Sequence, residues 1–80
     1  MSDSKQITLR HMQAGQSGIV AQIKGGYGLI SRLSVLGIRP GKKITKVGSM
    51  FMRGPVTVQL DSTQVAIGFG MANKVIVKLG

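Results

Sequence analysis

The sequence predicts a mainly β domain with one short α-helix, and three features lead to that fold class. Short apolar runs alternate with polar residues at a period of two, as half-buried strands do. A single segment changes to the three-and-four spacing of an amphipathic helix. Most of the twelve glycines fall between these runs, where the chain has to turn.

Taken in chain order, residues 17–23 form the first expected strand, with Ile19, Ala21 and Ile23 on one face. After Lys24-Gly25-Gly26, the spacing of Leu29, Leu33 and Leu36, with Ile30 beside them, makes an apolar helix stripe over about 27–36. Gly37 is placed to stop this helix in a left-handed C′ position, so that Ile38 packs back on Leu33. Arg39-Pro40-Gly41 then fits a tight turn into a second strand over 42–50. There Ile44 and Val47 are out of phase, which predicts a bulge or an outward apolar side chain. Gly54-Pro55 opens a third strand with Val56, Val58 and Leu60 inward, and Asp61-Ser62-Thr63 turns the chain. A fourth strand places Val65 and Ile67 inward, a corner spans 69–73, and a fifth places Val75, Val77 and Leu79 inward.

About five short antiparallel strands in so few residues are most readily satisfied by a closed sheet, which removes exposed edges. The expected architecture is a small SH3-like barrel with one short α-helix. An oligonucleotide-binding-type barrel has the same inventory and stays open on periodicity alone. Eighty residues allow one core and no second domain. We expect a flexible N-terminus over 1–6 and a single domain over 7–80. The polar start leads into no apolar stretch long enough for a signal peptide or membrane span. With no cysteine to form disulfides, the expected location is the cytoplasm.

The side-chain inventory argues against catalysis. His11 is the only histidine, Asp3 and Asp61 are the only carboxylates, and there is no cysteine, so no nucleophile–base pair or carboxylate pair is available. The same scarcity excludes a conventional metal site, and neither a metal nor another cofactor is expected. Met12 and Met71 read as core filling. Gly26-Tyr27-Gly28 follows a strand and opens a helix, as a dinucleotide loop does, but the third glycine and the downstream carboxylate are missing. These glycines read as helix-entry residues.

Two features point to binding. Eleven Lys and Arg against two acidic residues give a net charge of +9, which suits phosphates, anionic lipid or an acidic protein face, and which otherwise serves solubility. Arg39, Lys42, Lys43 and Lys46 form a basic patch that Lys24, Arg32 and Arg53 extend, a candidate surface for nucleic acid. Only three scattered aromatics are present for base stacking, which ranks that reading second. The other feature is Met50-Phe51-Met52-Arg53, four bulky residues where a turn favours small polar ones. With Arg32 they form the candidate protein-contact site, the alternative being that Phe51 caps the barrel mouth.

The order Arg32-Leu33, Leu36-Gly37-Ile38, Pro40-Gly41 resembles the RL..LG(I/L).PG signature of the FeoA family, small accessory proteins of bacterial ferrous-iron uptake. Leu9, Met12 and Gly15 upstream, and Gly54-Pro55-Val56, Val65-Ala66-Ile67, Ala72, Val75 and Val77 downstream, extend the likeness over about seventy residues. The resemblance implies an SH3-like barrel and a non-enzymatic cytoplasmic role beside FeoB, a membrane iron transporter with a GTP-binding domain. The leading expectation is that the domain binds the cytoplasmic GTPase region of that transporter and modulates its activity or assembly, while the +9 charge would help hold it near the anionic inner leaflet of the membrane. The chain departs from the family pattern at Gly68, where an Arg is frequent, and in the bulk of Met50-Phe51-Met52. The same fold occurs as the carboxy-terminal domain of iron-dependent repressors, and metal sensing is a third reading. Whether the domain activates, inhibits or scaffolds, and whether it self-associates, is not written in the residues.

Overall fold

The computed structural model describes residues 5–49 and 54–79. Its elements are β1 (Lys5–Thr8), a 3-10 helix (Leu9–His11), β2 (Ser17–Ile23), α1 (Tyr27–Val35), β3 (Lys43–Ser49), β4 (Val56–Leu60), β5 (Thr63–Ile67), α2 (Phe69–Ala72) and β6 (Val75–Leu79). The strands form one antiparallel sheet in the order β1-β6-β2-β3-β4-β5. This is the mainly β architecture expected, with one more strand and a second, four-residue helix at the predicted 69–73 corner.

Three details differ from the sequence reading. An additional strand, β1, starts at Lys5, where Lys5 and Gln6 pair with Leu79 and Lys78. The sheet does not close: β1 pairs only with β6 and β5 only with β4, so both remain edges among the described residues. The inward residues of β2 are Val20 and Ile23, whereas Ile19 is 42% exposed. A bulge explains the last point. Val20 faces Val77 and Gln22 faces Ile76, leaving Ala21 as an extra residue that shifts the alternation.

The bulge expected in the second predicted strand is present in β3 between Lys46 and Gly48, and Val47 faces outward. β4 alternates as the sequence implies, with Val56, Val58 and Leu60 buried. Together with Val20, Ile44, Ile67, Val75 and Val77 they make the centre of the core. Leu9 and Met12 are buried in the same cluster, and Met71 packs partly buried against it.

The end of α1 is a Schellman turn. Gly37 takes φ +96°, its N–H bonds the Ser34 carbonyl at 2.9 Å, and the Ile38 N–H bonds the Leu33 carbonyl at 2.8 Å. Leu33 and Ile38 are both fully buried. Next, Pro40 and Gly41 turn the chain, with the Lys42 N–H bonding the Arg39 carbonyl at 3.1 Å. Reciprocal bonds of Gly41 N–H to the Val20 carbonyl and Val20 N–H to the Lys42 carbonyl attach that turn to β2.

A Cβ at residue 37 would meet only Leu60 Cδ1, at an ordinary 3.4 Å, so backbone strain and not crowding sets the cost of substitution there. Gly37→Ala is expected to lower stability by about 1–2 kcal/mol in urea denaturation, with an unchanged m-value.

Candidate protein-docking face

Helix α1 is held mainly at its C-terminal end. Gly26 is its N-cap without a side-chain cap bond, and Leu33 is its only fully buried residue. At 100° per residue, Tyr27, Ser31 and Val35 lie opposite Leu33. Tyr27 is accordingly 92% exposed and Val35 84%. The expected apolar stripe is narrower than predicted: Leu29 packs partly against the core, while Ile30 and Leu36 lie exposed at its margins.

Two hollows flank Val35. One, of about 390 Å³, is lined by Arg32, Val35, Leu36 and Met71. The other, of about 410 Å³, is lined by Tyr27, Ile30, Ser31, Ser34 and Val35. In the second hollow, small Ser31 and Ser34 lie among the larger Tyr27, Ile30 and Val35. Arg32, picked out from the sequence, supplies the charge at its border. Met50, Phe51, Met52 and Arg53 lie outside the described residues. Tyr27 and Val35 are not among the contact residues expected from the sequence, where the stripe through Leu33 is the stronger pattern, yet their place opposite Leu33 follows from the same helical spacing.

The basic patch does not assemble as expected. Lys46 is only 4% exposed, and its Nζ donates to the carbonyls of Arg10 at 2.8 Å and Met12 at 2.6 Å. Its alternation with buried Ile44 already placed it inward, and that parity was the available signal. Burial pushes its pKa below the ordinary lysine value by penalising the charged form. Lys42 forms an ion pair with Asp61, while Arg39 and Lys43 remain exposed. Phe69 receives the Arg10 guanidinium 4.7 Å from its ring centroid, so this aromatic is engaged by a side chain of the domain itself. His11 is exposed and bonds Thr8 Oγ1 through Nδ1 at 2.7 Å.

Among the described residues no three His, Cys, Asp or Glu side chains gather as a metal site, and no helix is long and apolar enough to cross a membrane. Comparison with known proteins adds a family. The FeoA domain matches the chain over residues 7–79. The chain belongs to the FeoA family. It is 33% identical over 70 residues, 88% of its own length and 83% of the relative's, to a Methanocaldococcus jannaschii protein named "Putative Fe(2+) transport protein A". A crystal structure of an iron uptake regulatory protein, FeoA, is 34% identical and superposes with a TM-score of 0.86, covering 92% of this chain and 97% of that one. A manganese-dependent transcriptional repressor shares the fold at 20% identity and a TM-score of 0.87, the whole of this chain matching 45% of the repressor. The SH3-like fold of FeoA proteins is therefore the fold of this chain, and the oligonucleotide-binding-type alternative falls away.

Lys46 binds fewer protons folded than unfolded in the window between its lowered pKa and the ordinary value of 10.5. Stability therefore rises with pH across that window. Replacing the residue by Met removes this slope but leaves the Arg10 and Met12 carbonyls without their donor. Urea titrations at successive pH values are expected to show the rise in the parent and a less stable protein without it in Lys46→Met.

Proposed function

We propose that this FeoA-family domain is a non-enzymatic accessory protein of ferrous-iron uptake that docks on the cytoplasmic GTPase region of an FeoB-type transporter and alters its cycle or assembly. The observation that carries the reading is the outward side of α1, where Tyr27 and Val35 are spread in solvent beside Arg32. Exposed aromatic and aliphatic groups with a bordering arginine are the composition of a protein-contact centre. Family membership supports the iron-uptake context, as do the names of relatives concerned with Fe(2+) transport and iron uptake. The residues at hand offer no nucleophile–base pair, which supports a binding role over a catalytic one.

A domain that changes a partner's cycle must bind two of its states with different affinity. Contact through one short helix suits this, because a small shift of the receiving groove changes how Val35 and Arg32 fit. The cytoplasmic placement follows from the same partner. The segment 50–53 is part of the proposed contact through its Phe51 and Arg53.

The test is a binding titration of the purified domain against the transporter's cytoplasmic GTPase region. Val35→Asp with Arg32→Glu is expected to weaken binding at least tenfold while the melting temperature moves little, since both side chains are exposed. Phe51→Ala with Arg53→Ala measures the second segment separately. Undiminished binding by the first pair removes α1 from the interface, and undiminished binding by both pairs rejects the proposed docking sites altogether.

A further inference from the structure

A second surface shares no lining residue with the α1 hollows. On the outer side of the sheet, the bulged strand β2 turns Ile19 to solvent, and its neighbours across both adjacent strands are lysines: Lys43 on β3 and Lys78 on β6. With strands about 4.8 Å apart, the two lysine Cα atoms stand about 10 Å from each other across Ile19. The three side chains, with Ser17 and Gly18, line a shallow groove of about 320 Å³. Ser17 Oγ and Thr45 Oγ1, 2.7 Å apart, add a pair of hydroxyls at its end. Gln6 on β1 continues the row beyond Lys78.

Among the described residues nothing acidic faces this row. Of the two acidic side chains in the sequence, Asp61 is paired with Lys42, and Asp3 lies outside the described residues. The two cations are thus held apart on a rigid sheet, with an apolar side chain, 42% exposed, standing between them. This is the wrong surface for single-stranded nucleic acid, since no aromatic side chain lines it. It suits the boundary of a bilayer, where lysine stems lie along apolar surface, their heads reach phosphates, and an aliphatic side chain enters between. One hydroxyl of the Ser17–Thr45 pair donates to the other, which leaves one O–H free to donate to a phosphate oxygen.

We infer that the outer face of β6-β2-β3 is a membrane-contact surface that seats phospholipid headgroups of an anionic bilayer between Lys43 and Lys78, with Ile19 entering the interface. The face is built from paired strands, so it needs no rearrangement to bind. Its use leaves α1 free, and the inference holds whether or not the transporter docks there.

Any protein of charge +9 is drawn to anionic vesicles, so the experiment compares variants of equal charge. Lys43→Gln with Lys78→Gln and Lys24→Gln with Lys74→Gln each remove two exposed lysines, and vesicle sedimentation is measured with phosphatidylserine-containing and purely zwitterionic vesicles. A lysine at the surface contributes about fivefold to anionic-membrane binding. The first pair is therefore expected to lose about twenty-five-fold, and the second pair several times less. Equal losses would falsify the site and leave only the general field of the protein. The chain has no tryptophan, so Ile19→Trp and Val35→Trp each install a single reporter. Emission from Ile19→Trp is expected to shift to the blue with anionic vesicles and to stay unchanged with zwitterionic ones, while Val35→Trp stays unchanged with both. A shift confined to Val35→Trp overturns the inference in favour of α1 entering the membrane. Displacement from vesicles by inorganic phosphate, beyond that caused by sodium chloride of equal ionic strength, overturns it in favour of a free-anion site.

Discussion

The constraint on which the molecule depends is the stop at Gly37. A nine-residue helix is too short to be stable alone in water, so α1 must draw its stability from contact with the sheet. Most of that contact is concentrated at one end. The Ile38 N–H closes on the Leu33 carbonyl, both side chains enter the core, and the Pro40-Gly41 turn is bonded to β2 within three residues. Because the anchor is local, the rest of the helix carries little structural duty. Its outer side can expose Tyr27 and Val35 at small cost to the fold, and that freedom makes it available for recognition.

How much was legible in the sequence follows the range of the interaction responsible. The helix stop, the turn after it and the alternation of β4 depend on residues close in the chain, and each appears as expected. The phase of β2 does not, because Ala21 is extruded to keep Val20 opposite Val77 and Ile23 opposite Val75, a demand made by a strand more than fifty residues away. β1 was invisible for a related reason: four residues, none fully buried, make a strand only because the edge of β6 is there to receive them. At the candidate site Arg32 was legible as an exposed helical cation. The exposed pair Tyr27 and Val35 was encoded by spacing but hidden behind the stronger leucine pattern, and the disposition of the lysines depended on which face each strand turned inward.

The fate of Lys46 shows how composition can mislead. In a count of charges it is one more cation for an anionic partner, yet the fold spends it inside. Its ammonium gathers the Arg10 and Met12 carbonyls, its own backbone carbonyl accepts from Gly15, and its N–H donates to the Gln16 carbonyl. One residue thus fastens the chain around 10–16 to β3. Small domains commonly obtain such fastening from disulfides or metals, and this chain has no cysteine to offer either. A buried ammonium without a carboxylate is costly, but carbonyl acceptors offset much of that cost, and unlike a salt bridge they leave no second charge to desolvate.

Once Lys46 is withdrawn inside and Lys42 is paired with Asp61, the remaining charge is no longer an undivided basic surface. Besides other exposed cations such as Lys24, Arg39 and Lys74, it includes two distinct settings: Arg32 at the border of an apolar helix, and Lys43 with Lys78 on the sheet. Chemically unlike faces on one rigid body permit two contacts at once. If both proposed contacts operate, the first converts the second from an encounter in bulk solution into one at a surface, where effective concentration raises avidity without any new interaction. The lipid contact can then be weak, its strength supplied by two lysines and dependent on salt, and still decide where the domain waits. Specificity for the protein partner would rest on α1, since a shaped apolar surface discriminates between proteins in a way that a pair of flexible lysines cannot.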